Sequence, residues 1–225
     1  MGLLPMNTLQ ILTTYRTEFL LGLWVTLKMC LLIWASGIVL GTALGVAGAK
    51  WKWLGVLSKI ISFVLGAIPI LVFLFWLHYP LQSLLHLVID PFYTAVAALS
   101  IVNVLLVADL IRGVLNDFPT QYVMAAQICG LSHRQTVLRI QLPIIFRQAI
   151  PTVLLIQVSM LQASLFASLI SVDEIFRVAQ RINSMVYRPV EIYTALAVLF
   201  LMICVPLHGL AYWLKLRFTR DLSDR

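Results

Sequence analysis

Charged side chains are scarce in this 225-residue chain: Asp, Glu, Lys and Arg make up 11% of it, against roughly 25% in ordinary soluble domains. Acids are the scarcer sign, with nine Asp and Glu against sixteen Lys and Arg, so 16 − 9 = +7. The three cysteines, Cys30, Cys129 and Cys204, lie far apart and share no local motif with each other or with a histidine, so neither a disulfide framework nor a zinc site is implied. His78, His86, His133 and His208 have no i,i+4 partner among themselves. There is no Gly-x-x-x-x-Gly-Lys-Ser/Thr loop and no Gly-x-Ser-x-Gly elbow. The chain is therefore not expected to bind ATP through a P-loop or to do covalent catalysis, and no catalytic or metal-binding residue is assigned.

What is abundant is apolar: 61% of the chain is hydrophobic and its mean hydropathy is +0.98. A soluble protein of this length cannot hide that much apolar surface, which excludes a soluble enzyme, a disordered chain and a nucleic-acid-binding domain. The class that remains is an all-α integral membrane protein. A crossing needs about 20 residues, and the charge-poor stretches place spans at about 19–49, 54–77, 91–115, 144–172 and 191–215 in a single transmembrane domain covering 1–225. The opening Met1-Gly2-Leu3-Leu4-Pro5-Met6 lacks the basic patch of a cleavable signal, so the first span is expected to be retained. Lys50 and Lys52 lie between spans one and two, and Lys59 near the start of the second. Arg134 and Arg139 lie between three and four with Arg147 at the start of span four, and Lys215 ends span five ahead of Arg217, Arg220 and Arg225. The positive-inside rule then puts the N-terminus outside and the C-terminus in the cytoplasm. The segment from Asp173 to Glu191, read as an external loop, violates the rule mildly with Arg177, Arg181 and Arg188.

Within the spans, Gly37, Gly41 and Gly45 recur every four residues, a small-residue stripe suited to close helix packing. Gly66 and Pro69 should kink or open span two, whose helix is expected to stop near Trp76. At 100° per residue, Gln157, Ser164, Ser168 and Ser171 fall on one stripe of span four. Interhelical hydrogen bonding explains such a stripe, and so does a path for solute, which would also take in Leu161 and Gln162. Asp109 and Arg112, three apart, share a helix face and suit an orienting ion pair; a proton or ion relay is the other reading.

Between spans three and four, 118–143 reads as a cytoplasmic knob of two short helices. The first is Ala-rich and begins near Tyr122, and Gly130 breaks it. The second is capped by Ser132, with Gln135 three residues on, and runs to Leu142-Pro143. Such a knob suits docking into a groove of another protein.

Ala125-Ala126, Gly130-Leu131-Ser132 and Ile140-Gln141-Leu142-Pro143 resemble the EAA loop of permease subunits in binding-protein-dependent ABC importers. The resemblance spans most of the chain and points to the polar amino-acid branch, of the histidine, glutamine and arginine type. Asp109-Leu110-Ile111-Arg112-Gly113 is similar to that branch's Glu-x-x-Arg-Gly element, and Ser164-Leu165 with Val172-Asp173-Glu174 to its fourth span. Pro69 with the apolar run after it is similar to its second span, and Tyr187-Arg188-Pro189-Val190-Glu191 to its Phe-Arg-Pro-Phe-Glu element.

The resemblance implies a translocation subunit of the bacterial inner membrane, surrounded by lipid and without catalysis or cofactor of its own. ATP and Mg would sit on a pair of ATPase subunits, an extracytoplasmic solute-binding protein would deliver the solute, and a second permease would complete the path. No nucleic acid is involved. Tyr122, Met124, Ala125, Ala126, Gly130, Leu131, Ser132, Leu142 and Pro143 would couple to the ATPase. A secondary transporter would instead show inverted repeats or several intramembrane acids. Three departures stand out: Met124 replaces the family's Glu, Gly66-Ala67-Ile68-Pro69 its Arg-Gly-Thr-Pro, and Gln162-Ala163 its Lys-Asp. They suggest that this chain contributes less to solute contact and pairs with a different, more typical permease.

Overall fold

A computed structural model describes residues 8–223, and all regular structure among them is helical. A short α1 (Thr8–Thr14) precedes α2 (Arg16–Lys50), which contains a π turn at Gly37–Gly41. Next come α3 (Lys52–Gly66), α4 (Ile70–His78) and α5 (Pro80–Leu84). Then follow α6 (Pro91–Asn116), α7 (Thr120–Ile128), α8 (His133–Ile170), α9 (Ile175–Val186) and α10 (Pro189–Ser223). Among the described residues, four helices are long and apolar enough to cross a membrane, or five if the bent pair from Lys52 to Leu84 counts as one span. The protein is a multi-pass membrane protein.

Span two opens at Gly66 and Pro69 as expected: it is two helices bent by 96°. Pro69 lacks an N–H and fixes its own φ, so α3 ends at Gly66 and α4 restarts after Pro69. It ends at His78, near the expected Trp76. Two other expectations are corrected. The second half of the 118–143 knob is not a separate helix, because the helix that starts at His133 continues into the span. A π turn at Val137–Gln141 precedes Pro143, widening the helix where the proline ring must fit. The segment from Asp173 to Glu191, read as a loop, contains the twelve-residue α9.

Packing divides the chain into two units. The first comprises 1–35, 66–101 and 159–206. Its core forms where α9 lays Ile175, Val178, Ala179, Ile182 and Val186 against Ile11, Ile192 and Leu196. Those five residues follow the 3.6-residue period of one helix face. Gly22 lets α2 touch α9 directly: a Cβ there would lie 2.9 Å from Val178 Cγ2 and 3.0 Å from Ile175 Cα. Lys28, a charge inside the first span, sits over the Phe92 ring at 5.6 Å. Before α6, Gln82 Nε2 donates to Thr94 Oγ1 at 2.9 Å and its Oε1 accepts from Ile89 N at 3.0 Å.

The second unit comprises 36–65, 102–158 and 207–225. Here the glycine stripe meets α6. Gly37 faces the Asn103 side chain, a Cβ on Gly41 would lie 2.9 Å from Val104 O, and one on Gly45 2.7 Å from Ala108 O. Only residues without a side chain allow this approach, which without a hydrophobic driving force in lipid is the main source of helix adhesion.

Candidate functional site: a capped helix outside the spans and the polar groups within them

Helix α7 lies between α6 and α8, and each of its ends has a local cause. It starts after Pro119, whose fixed φ favours a helix start, and it stops in a Schellman turn. Leu131 N donates to Ala126 O at 3.0 Å and Gly130 N to Gln127 O at 2.9 Å, which satisfies the last carbonyls. The turn needs a left-handed residue, and Gly130 supplies it with φ +74°. Two residues later Ser132 starts α8 with a complete capping box: Ser132 N donates to Gln135 Oε1 at 2.9 Å, and Ser132 Oγ accepts from Gln135 N at 3.4 Å. Ala126 is buried, whereas Met124 and Ile128 are 60% and 86% exposed. Tyr122, Leu131 and Leu142 are half-buried; Ala125, Gly130, Ser132 and Pro143 are exposed. The result is a rigid short helix that offers apolar side chains one turn apart, outside the spans.

The polar residues of span four do not form one stripe. The α-helical part of α8 ends at Ala163 and the chain continues as a 3₁₀ helix over Ser164–Ile170, which advances about 120° per residue rather than 100°. Ser171 is then left-handed, with φ 73°. In the second unit, Gln157 is buried and pairs with Asn103 through both amides, at 2.9 and 3.3 Å. In the first unit, Leu161 is buried and Ser164 and Ser168 are too, each hydroxyl donating at 2.7 Å to the carbonyl three residues back. Ser171 and Gln162 are exposed, and Gln162 Nε2 lies 4.0 Å from Cys204 Sγ. The collinear stripe is thus corrected to internally bonded groups plus two exposed ones.

Asp109 and Arg112 pair at 2.6 Å on α6, and their bonds extend to α3. Arg112 Nη1 donates to Gly55 O at 2.8 Å and to Ser58 Oγ at 2.6 Å, while Ser62 Oγ donates to Asp109 Oδ2 at 2.5 Å. The spacing from Asp109 to Arg112 reveals the pair; its partners 47–57 residues away leave no local trace.

Glu174 has no solvent exposure, and the sequence reading missed it as a buried group. Its carboxylate caps α9, accepting from Phe176 N and Arg177 N at 2.9 Å each. Burial pushes its pKa up to about 7, opposed by those two N–H groups and by the Arg177 charge. Arg177 Nη1 in turn donates to Ser168 O at 2.9 Å, and Thr26 Oγ1 accepts from Ile175 N at 3.2 Å. The signal was present: Glu174 stands in the cap position before an apolar pattern at i, i+3, i+4, i+7 and i+11. Among the described residues, no three of His, Cys, Asp and Glu come together as metal ligands.

Comparison with known proteins places these features in a wider set. Residues 37–220 match the family described as binding-protein-dependent transport system inner membrane component. An octopine transport system permease protein of Rhizobium meliloti is 28% identical, with 99% of this chain and 98% of that one covered. An L-cystine transport system permease protein of Bacillus subtilis is 30% identical over 90% and 87% of the two chains. A glutamine transport system permease protein of Escherichia coli is 30% identical over 83% and 86%. Among solved structures, a crystal structure of an amino acid ABC transporter with histidines shares the fold, with a TM-score of 0.82 at 23% identity over 95% of this chain and all of that one.

Proposed function

The chain belongs to the family of binding-protein-dependent transport system inner membrane components, and on that premise we propose that it is the membrane-spanning subunit of an ATP-driven importer for a polar or charged amino acid or a close derivative. The family implies an ATPase, a second permease and a solute-binding protein as partners. Relatives named for octopine, L-cystine and glutamine transport support the solute class. ATP and Mg act on the ATPase subunits, and this chain supplies the path and the coupling.

The observation that carries the reading is α7. A two-turn helix that is fixed at its C-terminal end by a Schellman turn, followed by a capping box, and exposes Met124 and Ile128 outside the spans has the form of a docking element. The basic residues around it, Arg134 and Arg139, together with Lys50, Lys52, Lys59, Lys215 and Arg217, support a cytoplasmic side for α7 and an external N-terminus and α9. The membrane is then the bacterial inner membrane. Of the candidate path residues in span four, Gln162 and Ser171 are exposed and are the ones disposed to meet solute. Gly66, Ala67 and Ile68 offer no side-chain hydrogen bonds, which supports pairing with a different permease richer in polar contacts. A purified transporter containing this chain as its sole permease would contradict that pairing.

The test is uptake by proteoliposomes that contain the co-purified complex, with the binding protein and candidate amino acids outside and ATP inside. ATP-dependent uptake that is lost when a bulky residue replaces Ala126 supports the reading. Uptake that needs only an ion gradient and ignores α7 replaces it with a secondary transporter.

A further inference from the structure

We propose that Arg112 is a positioning residue of the transport cycle, tying α6 to α3 so that a displacement of α7 reaches α3 and α2 without slip. The inference rests on the reading of α7 as the ATPase-docking element. Only three residues separate the end of α6 at Asn116 from the start of α7 at Thr120, so this end of α6 is tied to α7 by a short link.

Where Gly41 and Gly45 of α2 meet it, α6 is held by close packing. Gly41 and Gly45 present bare backbone to Val104, Val107, Ala108 and Ile111, and such packing has no directional bond to resist sliding. At Arg112 the contact changes character. The guanidinium donates to Gly55 O and Ser58 Oγ on α3 and to Asp109 Oδ1 on its own helix. Ser62, also on α3, donates to the other oxygen of Asp109. Both members of the ion pair are therefore anchored on α3. The Arg112 stem lies in a notch made by two glycines, its Cδ 3.5 Å from the Cβ positions of Gly48 on α2 and Gly55 on α3. Those two glycines also meet each other, with a Cβ on Gly48 lying 3.2 Å from Gly55 Cα. Three helices thus converge on one side chain that is 13% exposed.

Sliding α6 past α3 would break the cross-helix bonds of a guanidinium that is only 13% exposed, so the polar tie is stiffer than the apolar contacts beside it. An ion pair confined to α6 would do nothing across the interface. The bonds to Gly55, Ser58 and Ser62 give the pair its mechanical role.

The whole importer, reconstituted in proteoliposomes with its partner permease, ATPase and binding protein, provides the test, read as solute imported per ATP hydrolysed. Arg112→Gln is expected to leave an assembled complex that still hydrolyses ATP when the binding protein is added, with the ratio lowered about tenfold, the scale of one lost charged hydrogen bond. Arg112→Lys should recover part of it. The double substitution Ser58→Ala with Ser62→Ala keeps both charges and cuts two of the cross-helix bonds, and it should also lower the ratio. An unchanged ratio in Arg112→Gln overturns the proposal. If that variant does not assemble, an unchanged ratio in the serine double variant overturns it equally. Absence of ATP-dependent uptake in the unmodified complex would instead refute the importer reading itself.

Discussion

Replacing Gly45 by alanine adds a single methyl where α2 lies against the backbone of α6. The new Cβ would lie 2.7 Å from Ala108 O and 2.8 Å from Ile111 Cβ, where unstrained carbon contacts sit at about 3.5–4.0 Å. The first neighbour is backbone and cannot rotate away, so the helices must part by roughly 1 Å, a gap that already forfeits up to half of each dispersion contact it opens. Overpacking of this kind costs about 1–3 kcal/mol. At about 2–4 °C per kcal/mol for a chain of this size, Tm of the purified protein in detergent or nanodiscs should fall by roughly 2–12 °C. Gly113→Ala is the matched control: it lies on α6 itself, and a Cβ there meets nothing within 4 Å. Relief of glycine's helix penalty, up to about 1 kcal/mol, should leave Tm unchanged or slightly higher. Equal losses at the two positions, or no loss at Gly45, would refute the claim that the glycine stripe holds these helices together.

Three further outcomes are expected. Gly130→Val forces a β-branched residue into the left-handed turn that ends α7; ATP-dependent uptake should fall severalfold while the complex still assembles, checked by uptake beside size-exclusion profiles. Ser132→Ala removes the capping box and should cost about 1 kcal/mol, seen as a lower Tm and faster proteolysis near 130–136. Glu174 sets a pH dependence: its folded pKa, about 7 against an ordinary 4.5, means that the folded chain holds a proton the unfolded chain has released. Its stabilising contribution is full below about 4.5 and lost by about 7, a span of roughly 3 kcal/mol at 1.36 kcal/mol per unit. Glu174→Gln should flatten Tm across that window, and an unaltered slope would count against the buried carboxyl as its source.

The features that were legible in the sequence are those with local causes. Ser132 and Gln135 form the capping box their spacing foretold, and Gly130 ends α7 because a left-handed turn asks for glycine. The stripe of Gly37, Gly41 and Gly45 meets another helix as small residues in lipid should. What was illegible depends on distant or non-standard backbone. The serine stripe assumed 100° per residue, and the 3₁₀ turn from Ser164 breaks that assumption. Pro143 looked like a helix end because its missing N–H usually ends one, yet the π turn ahead of it carries α8 through. Helix α9 is legible in its apolar period at Ile175, Val178, Ala179, Ile182 and Val186, while its arginines, Arg177 and Arg181, with Arg188 just beyond it, give the segment the charge of a loop. Gly55, Ser58 and Ser62 gave no hint of Arg112, since only the fold brings them to it.

The central claim is that this chain imports solute on ATP hydrolysed by a partner that grips α7. The most direct measurement is uptake of labelled amino acids by proteoliposomes carrying the complete complex, with ATP inside and the binding protein outside, compared between the native chain and one carrying Ala126→Trp. Uptake is expected to depend on ATP and on the binding protein, and to collapse in the α7 variant while the complex stays intact. Uptake that proceeds without ATP, or that survives Ala126→Trp unchanged, would contradict it.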